Sequence, residues 1–197
     1  MTANQTQLTA EAVEELISVL GAFRAMAPLV DTTAGVVIRA LRSGNKILTC
    51  GNGGSAADAL HMAEELVGRY KLSRRPLPAI SLAADPTLLT CIGNDFGYDF
   101  IFSRQIEALA QKGDIVVSFS SSGNSPNLLR AIDAARSNGA TSIALLGKKG
   151  GAMAGKADFE IIIPSSETAR VQELHTLILH CWLEQVDAEF VNGISQI

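Results

Sequence analysis

Short apolar runs alternate with helix-length segments along most of the chain, and this alternation limits the possible folds more than any other feature. The runs that we predict to be strands cover residues 46–50, 79–83, 115–119, 141–146 and 159–163. Parallel strands need long crossover connections, usually helices, and the spacing of these runs leaves room for them. The sequence therefore predicts an α/β fold with a doubly wound, five-stranded parallel sheet in the flavodoxin-like strand order 2-1-3-4-5.

The segments between the strands predict the helices of this fold. We expect helices to begin at Ser55, near Pro86, near Asp99, at Pro126 and around Thr168, and the last one to run to about Phe190. We expect a single domain over residues 1–197, because a chain of 197 residues is long enough for one full core and too short for two.

Two further helices are predicted ahead of the first strand. Apolar residues recur with helical spacing after Thr9, which is a plausible cap for the first helix. The second helix is predicted from a cap at Asp31 to a stop near Gly44. Residues 1–44 would then form an N-terminal helical pair, suited to contact between subunits, and residues 45–197 the α/β core.

Composition and charge exclude several classes of protein. The chain is 47% hydrophobic and 18% charged, which excludes a disordered segment. Its net charge is −4 and no long block of like charge occurs, so we expect no nucleic-acid partner. We also expect no membrane-spanning helix and no secretory leader. Three widely spaced cysteines fit neither a disulfide framework nor a metal knuckle, so we expect a cytoplasmic protein.

Two strand-to-helix loops are rich in residues that bind phosphate. Residues 51–55 read GNGGS after the first strand, and residues 120–125 read SSSGNS after the third. Glycine lets the backbone approach an anion, helix N-terminal amides point towards it, and hydroxyls donate to its oxygens. Serine and asparagine also cap helices, and that structural role remains an alternative. The first loop matches neither a dinucleotide nor a nucleotide-triphosphate fingerprint.

Histidine and carboxylate side chains are placed where they could act together on helices. His61 and Glu65 are four residues apart, so they share a helix face and suit a divalent metal or an acid/base pair, although an exposed pair without function is the alternative. Gln172 and His180 lie within roughly 80° of each other around the last helix, so both can face one cleft. His175 lies on the other side of Gln172, and a structural role for these histidines is the alternative.

Three other polar residues are weaker candidates for substrate contacts. Asn94 and Asp95 form a turn signature that could also bind a sugar hydroxyl. Arg69 ends the helix of His61, where it fits either the helix dipole or a substrate. Trp182, by contrast, is predicted to belong to the core.

Five motifs in this order resemble the phosphoheptose isomerase family of sugar isomerase (SIS) domain proteins. They are CGNGGS at 50–55, HMAEELVGRY at 61–70, GNDFGY at 93–98, SSSGNS at 120–125 and RVQELH at 170–175. The resemblance covers nearly the whole chain. It implies an enzyme that converts sedoheptulose 7-phosphate into D-glycero-D-manno-heptose 7-phosphate through an enediol, and so supplies heptose for bacterial lipopolysaccharide.

The resemblance also implies a zinc ion in each subunit, a homotetramer and a set of site residues. The implied acid/base pair is Glu65 and His180. The implied metal ligands are His61, Glu65, Gln172 and His180. Together with Ser55 and Arg69, the expected substrate contacts are Asn52, Gly53, Gly54, Asn94, Asp95, Ser120, Ser121, Ser122, Ser125 and Gln172.

A second interpretation is a SIS-type module that senses a sugar phosphate or binds a protein without turnover. The DnaA initiator-associating protein is similar in fold and serine loop but lacks the Glu and the second His, which this chain keeps as Glu65 and His180. A different phosphosugar also stays open as the substrate. Ser121 replaces the usual threonine and retains its hydroxyl, whereas Ala169 replaces a residue that is often acidic.

Overall fold

A five-stranded, entirely parallel sheet forms the centre of the protein. The structure is a computed structural model that describes residues 3–191, so both ends of the predicted domain lie outside the described residues. The strand order is β2-β1-β3-β4-β5, which confirms the predicted fold class and order. The strands are β1 (Ile47–Gly51), β2 (Ala79–Ser81), β3 (Ile115–Ser120), β4 (Thr141–Leu146) and β5 (Phe159–Ile162).

Seven α-helices accompany the sheet within the described part of the chain. They are α1 (Ala3–Phe23), α2 (Ala27–Arg42), α3 (Gly54–Val67), α4 (Pro86–Asp95), α5 (Ser103–Leu109), α6 (Pro126–Ser137) and α7 (Thr168–Phe190), with 3-10 turns at Arg24–Met26, Tyr98–Phe100 and Lys148–Met153. None of the helices within residues 3–191 is long and apolar enough to cross a membrane.

Three predicted helix starts were wrong or shifted. Thr9 lies inside α1, because the residues before it continue the helix and a capping side chain is only a preference. Asp31 lies inside α2, which begins at Ala27 because Pro28 suits a first helical turn. The helix expected near Asp99 is first a 3-10 turn, and α5 begins only at Ser103.

The core has two layers, one on each face of the sheet. Ile47, Val117 and Phe119 point into a cluster shared with α2, α3 and α7, where Trp182 is fully buried as predicted. Leu48 and Val116 point to the opposite face, towards the side chains of α4, α5 and α6. This alternation follows from the two-residue period of a strand.

The register of β1 and β3 brings their carboxyl ends together. Gly51 at the end of β1 pairs with Phe119 near the end of β3, so the two polar loops leave the sheet side by side. Ligands of such sheets bind where two neighbouring strands send their connections to opposite faces. In this chain those connections lead into α3, which packs in the first core layer, and α6, which packs in the second.

Candidate active site

The loop after β1 turns sharply into α3 because it is built from glycine. A Cβ atom on Gly51 would lie 2.3 Å from the carbonyl oxygen of Ser55, so no larger residue fits there. Gly53 has a φ of +57°, in the region that favours glycine. The tight turn leaves the first amides of α3 at the carboxyl edge of the sheet, as an anion site requires.

The serine loop, residues 120–125, is held from beneath by the backbone of the 3-10 turn at Lys148–Met153. Gly123 has a φ of +66°, and a Cβ there would lie 2.0 Å from the carbonyl oxygen of Gly150. The amide of Gly123 donates to Oγ of Ser120 at 3.0 Å, and the amide of Met153 donates to the Gly123 carbonyl at 2.9 Å. These contacts fix the loop without a charged group.

Ser125 occupies the N-cap position of α6 without acting as a cap. Its side chain accepts no hydrogen bond from the first amides of the helix. Ser121 and Ser122 are both half-buried, and Oγ of Ser122 accepts a hydrogen bond from the Asn124 amide at 3.2 Å. Because the Ser125 side chain does not cap α6, its hydroxyl is free to donate to a ligand, which the capping interpretation did not predict.

Two asparagines join the loops, and only one of them was singled out from the sequence. The Asn52 and Asn127 side-chain amides exchange two hydrogen bonds of 2.9 Å each, and the hydroxyl of Tyr98 donates to Oδ1 of Asn52 at 2.9 Å. Tyr98 follows Asn94 and Asp95, which form the exposed last turn of α4 instead of a free turn. Asn127, only two residues beyond the serine loop, was the signal that sequence reasoning missed.

Helices α3 and α7 pack in parallel and meet at three levels. At the first level Gly54 faces Gln172, because a Cβ on this glycine would lie 2.4 Å from Nε2 of Gln172. At the second level Thr176 donates to Oδ1 of Asp58 at 2.9 Å. At the third level the rings of His61 and His180 meet edge to face, with centroids 5.1 Å apart.

The third level is a cluster of titratable groups. Nε2 of His61 lies 3.4 Å from Oε1 of Glu65, and Glu64 offers a second carboxylate within 4.8 Å of both. The ring of Tyr70 stacks on that of His180, with centroids 5.4 Å apart and an angle of 23° between the planes. Glu65 and His180 are half-buried, so solvent and substrate can reach them.

Burial changes the proton affinity of two groups along this contact. Burial, followed by repulsion from His61, lowers the pKa of His180, which favours the neutral imidazole. Burial raises the pKa of Asp58, which the hydrogen bond from Thr176 only partly offsets. The lowered pKa leaves His180 with the free lone pair of a neutral imidazole, which a base or a metal ligand needs.

Comparison with known proteins shows the family to which the chain belongs. A family model described as the SIS domain matches residues 12–147. The phosphoheptose isomerase of Citrifermentans bemidjiense is 51% identical, covering 85% of this chain and 88% of its own, and that of Campylobacter concisus is 46% identical over 96% and 97%. A phosphoheptose isomerase structure from Neisseria gonorrhoeae superimposes with a TM-score of 0.88 at 37% identity, covering 93% and 99%.

The chain belongs to the phosphoheptose isomerase family of SIS-domain proteins. The family model ends at Gly147, so Gln172, His175 and His180 on α7 lie beyond it. More distant SIS-like structures, such as a sugar isomerase domain from Sphaerobacter thermophilus with a TM-score of 0.67 and 15% identity, share the fold alone.

The placement of the predicted site residues in this family member divides them into two groups. Asn52, Gly53, Gly54, Ser55 and Gln172 lie with the serine loop at the first level, whereas His61, Glu65 and His180 lie at the third. Gln172 and His180 are eight positions apart on α7, which corresponds to a rise of about 12 Å. Arg69 is exposed just beyond α3, and Ser55 is buried.

The donor set at the third level fits a zinc ion. Two ligands of a tetrahedral zinc, each ~2.1 Å from the metal, lie about 3.4 Å apart. His61 and Glu65 have this separation between Nε2 and Oε1. His180 is the neighbouring imidazole, and its lowered pKa keeps it in the neutral form that a metal binds.

Proposed function

We propose that this protein is an isomerase that converts sedoheptulose 7-phosphate into D-glycero-D-manno-heptose 7-phosphate. The observation that carries the proposal is that the carboxylate of Glu65 and the imidazole of His180 lie at one end of the α3–α7 pair. The other end of this pair borders the glycine loop and the serine loop. The family relationship supports the same reaction, since the relatives carry the name of this enzyme. A module that only binds sugar phosphate would have no use for an acid/base pair there.

The serine loop and the glycine loop would bind the phosphate of the substrate. Their donors are hydroxyls and backbone amides at the N-termini of α3 and α6, and the open hydroxyl of Ser125 is one of them. The exposed amide and carboxylate of Asn94 and Asp95 are available to sugar hydroxyls. Holding the phosphate fixes the position of the carbonyl end of the sugar, which lowers the entropic cost of reaction.

Glu65 and His180 would move the protons. One of them removes a proton from C1 of the ketose, which gives a cis-enediol, and the proton returns at C2. The oxygen on C2 gains a proton as it becomes a hydroxyl, and the oxygen on C1 loses one as it becomes the aldehyde. The neutral imidazole of His180 can carry the proton between the two oxygens, while the Glu65 carboxylate acts at carbon.

The proposed cofactor is one zinc ion in each subunit, held by His61, Glu65 and His180. Because a metal-bound carboxylate or imidazole is a poor base, either Glu65 or His180 leaves the metal during turnover, or only one of the two moves protons. When bound, zinc polarises the carbonyl and stabilises negative charge on the enediol oxygens. Gln172 remains the proposed fourth ligand. Because it lies about 12 Å along α7 from His180 in its own chain, we propose that it reaches the metal of a neighbouring subunit.

The proposed assembly is a homotetramer, and α1 offers a surface for it. Val13, Ile17 and Leu20 belong to the apolar residues that recur with helical spacing after Thr9, and they are 51%, 56% and 38% exposed within one chain. An apolar stripe of this kind marks a surface for association. A second copy of the same chain would cover it.

The proposed location is the cytoplasm, and the proposed role is the supply of heptose for lipopolysaccharide. Cys50, Cys91 and Cys181, all within the described residues, are free thiols, which suits a reducing compartment. Soluble sugar phosphates are also made and used there.

The direct test is turnover. We expect the zinc-loaded protein to convert sedoheptulose 7-phosphate into the aldose, followed by a coupled aldose assay or by NMR, and to lose activity in a chelator and regain it with added zinc. Binding of the sugar phosphate by calorimetry without any aldose would favour the sensing module instead. Turnover that persists after complete zinc removal would reject the cofactor while leaving the isomerase.

A further inference from the structure

A buried ion pair lies behind the third-level cluster. Nε of Arg74 donates to Oδ1 of Asp187 at 2.8 Å, and the two side chains are 0% and 2% exposed. Charged side chains are almost never buried to this extent without a specific set of partners. Neither residue belongs to the motifs that point to the substrate or the metal.

The partners of Arg74 are the last carbonyls of the helix that carries Glu65. Its Nη2 donates to the carbonyl oxygen of Glu65 at 2.7 Å, and its Nη1 donates to that of Leu66 at 2.9 Å. The end of an α-helix leaves such carbonyls without intrahelical partners. The planar guanidinium binds two of them and Asp187 through three different nitrogens, whereas the donors of a lysine all lie on one nitrogen.

The partners of Asp187 are the amides that follow Tyr70. Its Oδ2 accepts from the amides of Lys71 and Leu72, both at 2.8 Å. This fixes the segment from which the Tyr70 ring stacks on His180. Asp187 lies seven residues after His180 on α7, two turns along the same face.

We propose that Arg74 and Asp187 form a clamp that positions Glu65 and His180 for proton transfer. The clamp joins the end of α3, the Tyr70 segment and α7, so the separation of the carboxylate and the imidazole depends on it. Both are positioning residues, because neither touches the reacting atoms. The inference rests on the proposed isomerase function.

Stability alone does not account for such a pair. Burying two charges costs as much as their attraction returns in many proteins, and apolar pairs of similar size often replace them without loss. Breaking the pair by changing one partner, however, leaves an unpaired buried charge and destabilises strongly. A test must therefore remove both charges together.

The test compares the double variant Arg74→Met/Asp187→Asn with a matched pair elsewhere. Lys46 and Asp114 serve as the control, because Nζ of Lys46 lies 2.5 Å from Oδ2 of Asp114. The Asp114 carboxylate also accepts hydrogen bonds from the backbone amides of Lys46 and Gln111. This pair lies at the amino ends of β1 and β3, away from the candidate site. The control is Lys46→Met/Asp114→Asn. Turnover, KM and thermal unfolding are measured for both and for the unchanged protein.

We expect the clamp variant to lose at least about tenfold in kcat, with KM within about threefold, since misplacement of reacting groups by 1 Å can cost ~100-fold. The control should keep its kcat with a comparable shift in Tm. Equal kcat in the clamp variant and the control would overturn the inference. If the unchanged protein shows no turnover, the proposed function fails instead, and the two failures are thus distinct.

Arg74→Lys provides the second measurement, including the case in which the double variant does not fold. It keeps the charge opposite Asp187 and loses the bonds to the Glu65 and Leu66 carbonyls. We expect a folded protein with reduced kcat and unchanged KM. A folded Arg74→Lys protein with full kcat would show that the clamp does not position the catalytic pair.

Discussion

The two ends of the α3–α7 contact achieve order by different means. At the end of Gly54 and Gln172, loops are fixed by glycine and backbone contacts, and the donors are uncharged. At the end of His61 and His180, side chains are placed by ring contacts and by the buried charges of Arg74 and Asp187. The comparison teaches that substrate affinity should depend on the first end and the rate of proton transfer on the second.

The largest effect is expected from Glu65→Gln, which removes the proposed base and nearly keeps the shape. We expect a folded protein that binds the sugar phosphate and loses at least ~100-fold in kcat, the lower bound for acid/base catalysis. Glu64→Gln, at the preceding position of α3, is the matched control and should keep kcat within about threefold. Similar turnover in the two variants would break the assignment of chemistry to this end.

Mixed oligomers test whether Gln172 serves a neighbouring subunit. Glu65→Gln and Gln172→Ala should each be nearly inactive alone. Random mixing of the two chains leaves both wild-type residues in about a quarter of the sites if those residues come from different subunits. We expect activity to return to that extent in co-expressed, doubly tagged oligomers. Lack of recovery in confirmed mixed oligomers would place both residues in one chain.

A smaller effect, on affinity, is expected from Ser125→Ala. Loss of a hydrogen bond to a charged group costs about 1.5–3 kcal/mol, so the substrate Kd should rise about tenfold or more, with kcat nearly unchanged. Ser137→Ala at the other end of α6 is the control and should leave both constants alone. A fall in kcat with unchanged Kd would contradict the division between the two ends.

The smallest effect on catalysis is expected from a change at His175, which is buried against Phe119. Its expected effect is on stability. Burial lowers its pKa to about 4, and the Leu146 carbonyl offers only a partial hydrogen bond that opposes this shift. An unfolded histidine titrates near pH 6.5. Because the unfolded chain takes up this proton at a higher pH than the folded protein, the free energy of unfolding decreases as the pH falls below 6.5. The decrease reaches about 3 kcal/mol at pH 4.

Urea unfolding of the unchanged protein and of His175→Leu, measured at several pH values between 7 and 4.5, checks this prediction. The variant should show a flatter decline, whatever its stability at pH 7. Parallel declines in the two proteins would mean that other groups cause the loss at acidic pH.

The fold could be predicted because its signal is local and repeated. Each buried strand is a short apolar run, and the order 2-1-3-4-5 is the common solution for five such units. Helix starts at Thr9 and Asp31 were wrong because a capping residue type is common inside helices too. The glycine and serine loops could be predicted for the same reason as the strands, since their chemistry is contiguous in sequence.

The rest of the site depends on contacts between distant residues. Arg74 stands beside Arg75, and Asp187 lies within three residues of Glu184 and Glu189, so both look like surface charges in the sequence. The angular argument for Gln172 and His180 predicts one side of α7 for both, and both contact α3. It gives no information about the rise of the helix, which puts them at different levels. Position along a helix decides such cases as much as direction does.

The close contacts beneath the serine loop limit how this enzyme can change. Gly123 abuts the carbonyl of Gly150, and a Cβ on Gly147 would lie 2.6 Å from the carbonyl of Ser121, so backbone meets backbone at both points. A substitution there must move main chain, which few sequences tolerate. If the serine loop binds the phosphate as proposed, altered preference for the length or stereochemistry of the sugar would have to evolve at the exposed Asn94–Tyr98 side of the cleft, while the proposed anion anchor stays as it is.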